Sequence, residues 1–108
     1  MRHQASIETF VAHIYMAGDI EQAKQAIREF VIRGLCVTIE PLEFIYTGGE
    51  ESGFRVGLIN YPKYPSTPQA ITRIAEELAE FLKSRIFQQS YSIVCTDNTM
   101  WRSTREHN

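Results

Sequence analysis

The residues best able to do chemistry fall in two short stretches, each just past a run of strand-forming residues. In the C-terminal stretch, Asp97, Asn98 and Thr99 offer hydrogen-bonding groups in a short turn, Trp101 offers a wide stacking surface, and Arg102 offers a fork that can take a phosphate. The second stretch runs from Asn60 to Pro65, where Asn60 supplies an amide suited to a base edge, and Tyr61 and Tyr64 supply rings suited to stacking on a base. A blander reading stands beside each. The tyrosines serve equally well to cover the end of a sheet, and the tail to dock on a neighbouring subunit. Arg28, four residues after Lys24, projects with it from one helix face, as either a phosphate patch or a solvated surface. No nucleophile sits beside a base, no carboxylates pair, and no metal-ligand spacing occurs, so these residues point to binding and to no catalytic residue.

Composition narrows the ligand. Lysine plus arginine number 11 against 13 acidic residues, and a net charge of -2 gives no reason to expect long nucleic acid, which is held through many phosphate contacts. One or two arginines suffice for a small anion. Cys36 and Cys95 fall in predicted strands without metal or redox spacing and read as buried, reduced core residues. The Gly48–Gly49 pair lacks the following Lys-Ser/Thr of a phosphate loop and precedes a strand, so Gly48 to Gly53 reads as a hairpin connection. No apolar run approaches the roughly 18 residues that cross a bilayer, and the N-terminus carries no leader pattern, so no membrane partner is expected.

The elements that must position these residues follow from periodicity. Ile14 and Met16 alternate with His13 and Tyr15 in a first strand. Asp19 opens a helix whose face carries Ile20, Ala23, Ile27, Phe30 and Val31, and Gly34 closes it. Leu35 to Ile39 reads as a second strand broken by Pro41, and Leu42 to Thr47 as a third. Phe54, Val56 and Leu58 alternate with Arg55, Gly57 and Ile59 in a fourth. Ser66 or Thr67 caps a long second helix with Ile71, Ile74, Ala75, Leu78, Phe81 and Leu82 on its apolar stripe, and Arg73 is placed to pair with Glu77. Tyr91 to Thr96 makes a last strand.

The sum is an α+β domain with a largely antiparallel sheet of about five strands and two helices on one face. Its order is β-α-β-β-β-α-β, a ferredoxin-like variant. Residues 1–12 read as a flexible extension, 13–102 as the single ligand-binding domain and 103–108 as a tail. The helix-free face is expected to carry Ile45, Ile59 and Val94, which calls for a homodimer or larger assembly to cover it.

The blocks IYMAGD, GLCVTIEP, IYTGGEESG and VGLINYPKYP, then a long helix and a strand leading to TDNTMWR, resemble the phage Thoeris anti-defence proteins of the first type. The resemblance covers Ile14 to Arg102. It implies a protein that is not an enzyme and needs no cofactor. Such a protein acts in the host cytoplasm by sequestering a cyclic ADP-ribose isomer made by bacterial TIR-domain proteins, with cyclic di- or trinucleotides as further ligands and a homodimer or hexamer as the assembly. Carried to this chain, it implies a pocket in which Arg102 meets the pyrophosphate, Asp97 to Thr99 meet ribose or base, Asn60 reads polar edges, and Tyr61, Tyr64 or Trp101 stacks on adenine, with Arg28 as an outer candidate. A small nucleotide-processing enzyme, or a direct inhibitor of a defence protein, remains the alternative.

Overall fold

A computed structural model of the chain describes residues 9–59 and 67–104. Strand β1 (Val11–Ala17) alternates as expected: Ala12, Ile14 and Met16 are buried, while His13 and Tyr15 face the other way. Asp19 then caps α1 (Ile20–Phe30), its carboxylate accepting from the Glu21 N–H at 2.9 Å. A 3-10 turn over Val31–Arg33 ends at Gly34, whose φ of 97° favours a residue without Cβ.

Strand β2 (Thr38–Tyr46) is continuous through Pro41, where the sequence pattern suggests a break. The reason is position: in the sheet order β2-β3-β1-β4-β5, β2 lies at an edge, where a missing N–H costs the ladder nothing if it points outward. Register between β2 and β3 (Gly49–Ile59) pairs Tyr46 with Gly49, so the turn is only Thr47 and Gly48, with φ of 85° at Gly48. Glu50 to Gly53 therefore belong to a strand and not to a loop. Thr67 caps α2 (Pro68–Arg85) by accepting from the Ala70 N–H at 3.1 Å. Strands β4 (Ser90–Cys95) and β5 (Thr99–Ser103) complete an all-antiparallel five-stranded sheet, with the fifth strand coming from the tail.

Both helices lie on the face that carries Ile14, Met16, Phe54, Val56 and Ile93, and Leu78 and Leu82 of α2 are fully buried against it. The α+β architecture is thus the one that periodicity predicts. The helices are clamped by Phe30 against Phe81 at 5.6 Å between ring centres, and by Arg85 on Glu29 at 2.9 Å. Glu77 pairs with Arg33 at 3.2 Å in place of the i, i+4 partner Arg73 suggested by spacing. Cys95 is buried, whereas Cys36 precedes β2 and is exposed, contrary to the reading of both as core. Among the described residues no helix is long and apolar enough to cross a membrane.

Among the described residues the opposite face has no helical cover. Cross-strand pairing puts Ile59 and Val94 on it, as expected, but Ile45 pairs with Glu50 and so shares the face of Phe54, beyond the reach of the helices and 79% exposed. Phe44 lies on the open face and crosses Gly53, where an added Cβ would come within 2.4 Å of both Phe44 Cε2 and the Met16 carbonyl oxygen. Gly53→Ala is expected to cost about 1 to 3 kcal/mol by overpacking, read as a lower urea midpoint at unchanged slope. An unchanged midpoint would show that both Phe44 and the β1 backbone at Met16 give way without cost.

Candidate functional site

The open face is organised in rows that cross the strands. Register aligns Glu40, Arg55, Tyr15, Ser92 and Trp101, one from each strand, in a single row. The next row holds Thr38, Gly57, His13, Val94 and Thr99. Because alternate residues of these strands form the core, the pleat itself fixes which side chains are left for a ligand.

A cavity of about 170 Å³ opens on this face toward the Ser90 end of β4. Tyr15, Phe44, Glu51, Ser90, Ser92 and Trp101 line it, with Met16, Ala17 and Tyr91 completing the wall. Among the described residues its lining thus offers three rings, one of them phenolic, a carboxylate and two serine hydroxyls, and no lysine, arginine or histidine. Aromatic faces carry negative potential, so the set suits an aromatic body bearing a positive charge and offers nothing to neutralise a phosphate. Pockets that enclose a small ligand run to roughly 300–1,000 Å³, so this one holds part of such a molecule.

The surrounding electrostatics fix the frame. Arg55 donates through Nε to Glu40 Oε1 at 2.8 Å and through Nη2 to the same oxygen, and its Nη1 reaches the Tyr15 hydroxyl at 3.5 Å. These hydrogen bonds, with Tyr15 and then Glu40, hold the guanidinium pKa above its ordinary value. Gly57 leaves room between Thr38 and His13: an added Cβ would meet Thr38 Oγ1 at 2.5 Å and the His13 ring at 3.2 Å. On the helix side, the Tyr91 hydroxyl donates to Glu80 at 2.6 Å, and burial, followed by that bond, pushes the phenol pKa up. Tyr91 is therefore a neutral strut across the domain at any physiological pH.

The residues singled out in the sequence are dispersed. Trp101 lines the cavity, and Thr99 lies on the same face one row away. Arg102 pairs with Tyr91, which puts it on the helix face, opposite Trp101. Asp97 and Asn98 form the turn between β4 and β5, where the Asn98 carbonyl accepts from the Cys95 N–H at 2.6 Å, at the far end of β4 from the cavity. Arg28 is exposed in the last turn of α1, in the helix layer. Asn60, Tyr61 and Tyr64 lie outside the described residues. Tyr15, Phe44, Glu51, Ser90 and Ser92 carry no local motif. Their signal is that they occupy the polar phase of strands whose other phase is core.

No protein-family model matches the chain, and no curated protein matches it by sequence. The fold, by contrast, has solved counterparts. A phage SAM lyase in the apo state superposes with a TM-score of 0.68 at 14% identity, covering 92% of each chain. A phage SAM lyase in complex with S-methyl-5'-thioadenosine superposes with a TM-score of 0.73 at 10% identity, covering 100% of this chain and 99% of the other. The architecture from end to end is thus one that an enzyme uses. This overturns the expectation of a protein without catalytic activity, which rested on the resemblance to the Thoeris anti-defence proteins and agreed with the lack of an acid, base or nucleophile motif.

His13, one row away, reports on the Arg55 charge. Burial, then the Arg55 charge, lowers its pKa from the ordinary 6.5, with Glu40 opposing. A depressed pKa means that its contribution to stability is present above pH 6.5 and is lost as pH falls through the depressed value. NMR titration should place the His13 midpoint below 6.5, with Arg55→Gln moving it upward; a midpoint at or above 6.5 would contradict this account of its burial and of the neighbouring Arg55 charge.

Proposed function

We propose that this chain is a small lyase that binds S-adenosylmethionine on the open face of its sheet and cleaves it to S-methyl-5'-thioadenosine. The observation that carries the reading is the cavity: three aromatic rings and Glu51, without a basic side chain among the described residues, on a fold that matches a lyase over its whole length. A sulfonium nucleoside has the matching properties, a flat base beside a fixed positive charge.

The chemistry explains how such a site works without a motif. S-Methyl-5'-thioadenosine is what remains when the bond from sulfur to the amino-acid Cγ breaks and sulfur keeps the electron pair. The substrate's own carboxylate attacks Cγ from the opposite side, expels the thioether and closes a lactone, so atoms and charge balance without water or an added base. Carboxylate and sulfonium cancel as the transition state forms, and a site that replaces water with rings favours that loss of charge. The roles left to the protein are to fold the amino-acid arm toward Cγ, to hold the base against Trp101 and Phe44, and to exclude water. Glu51 stabilises the bound sulfonium.

The same scheme preserves the broader expectation of a phage protein acting against its host by removing a nucleoside-derived molecule, here a methyl donor. The finer expectation, a cyclic ADP-ribose isomer, requires a pyrophosphate contact. Arg102, its proposed partner, lies on the other face. The cavity is also too small to enclose a nucleoside alone, and Ile59, at the other end of the same face, is 41% exposed, which supports a homodimer or larger assembly closing over this face.

Incubated with S-adenosylmethionine, the protein should release S-methyl-5'-thioadenosine and homoserine lactone, and Trp101→Ala should lower the rate at least tenfold with the fold intact. Recovery of intact substrate, with a cyclic ADP-ribose isomer bound instead, would overturn the reading. Light scattering should give a multiple of the monomer mass, and a monomer at micromolar concentration would remove the proposed second wall.

A further inference from the structure

We infer that Arg55 and Glu40 form the subsite for the amino-acid end of the substrate, a matched pair that takes its carboxylate and its ammonium group. The inference rests on the reading above and extends it to residues outside the cavity. Three observations carry it.

The first is alignment. Trp101, Ser92, Tyr15, Arg55 and Glu40 share one row, so a ligand lying across the strands meets, in order, a stacking ring, two hydroxyls, a cation and an anion. S-Adenosylmethionine presents a base, a ribose with its sulfonium, and then a carboxylate beside an ammonium, which is the complementary sequence of groups. From β5 to β3 there are three strand steps of about 4.8 Å each, or about 14 Å, a length suited to a nucleoside with its amino-acid arm extended as it first binds, before the arm folds toward Cγ for the reaction.

The second is unused bonding capacity. Both Arg55 bonds to Glu40 go to Oε1, which leaves Oε2 able to accept from an ammonium. On Arg55, Nε, Nη1 and Nη2 each donate one bond, which leaves one N–H on each η nitrogen for a carboxylate. The pair is open to solvent, with side chains 31% and 50% exposed, so a ligand can reach it. The third is the link to the cavity. The Arg55 Nη1 contact to the Tyr15 hydroxyl ties the pair to a ring that lines the cavity, so the amino-acid arm and the base are placed by one connected network.

A surface ion pair of this kind adds little to stability, which makes its removal a clean test. Two probes separate the subsite from the cavity. S-Methyl-5'-thioadenosine has the nucleoside without the amino-acid arm. Sinefungin has both, with an amine-bearing carbon in place of the sulfonium, and is not cleaved. By calorimetry, Glu40→Gln and Arg55→Gln should each weaken sinefungin at least tenfold and change the affinity for S-methyl-5'-thioadenosine by less than twofold. The retained nucleoside affinity also reports that each variant folds. Glu40→Gln is the stricter arm, because it leaves the Tyr15 contact in place. Equal losses with both probes, or no loss with sinefungin, would overturn the subsite and leave the proposed function standing. If the wild-type protein binds neither probe, the functional reading itself falls.

Discussion

The one-sided cover of the sheet is the constraint from which the rest of the structure follows. Two helices suffice to bury one face, and the pleat then divides every strand into a core phase and an open phase. In β1 the division is sharp. Ile14 and Met16 are fully enclosed, while Tyr15 between them faces out beside Arg55 and Ser92. A shift of one residue in register would exchange the two sets and destroy core and site together. Gly53 and Gly57 complete the constraint, since each leaves the space into which an open-face side chain, Phe44 or His13, is packed.

Much of the scaffold was legible because it is local. The cap at Asp19, the cap and proline at Thr67–Pro68, and the alternation of β1 and β4 need only neighbouring residues to be recognised. What was not legible depends on pairing across the sheet. Pro41 reads as a strand break until β2 is known to be an edge, and GGEESG reads as a loop until Tyr46 is seen to pair with Gly49. Only that pairing places Glu51 on a strand, as the carboxylate of the cavity.

The candidate site was less legible for the same reason. Trp101 was found because it is conspicuous in a polar tail, but Arg102, its neighbour, was assigned to the same pocket although adjacent strand residues face opposite ways. Tyr15 and Arg55 are forty positions apart and meet only through register. On the proposed reading, catalysis depends on chemistry and not on spacing. A reaction in which a substrate's own carboxylate displaces its own leaving group asks the protein for shape and low polarity, and neither leaves a motif. The lack of an acid, base or nucleophile motif therefore does not tell a binding protein from an enzyme of the proposed kind.

The central claim is that the nucleoside enters the open-face cavity. Trp101, the single tryptophan in the chain, lies in its wall, so its fluorescence reads that cavity alone. Titration with S-methyl-5'-thioadenosine should change the emission saturably, with a midpoint equal to the dissociation constant from calorimetry, and Tyr15→Ala should weaken both together. Binding heat without any change at Trp101 would place the ligand elsewhere and contradict the account.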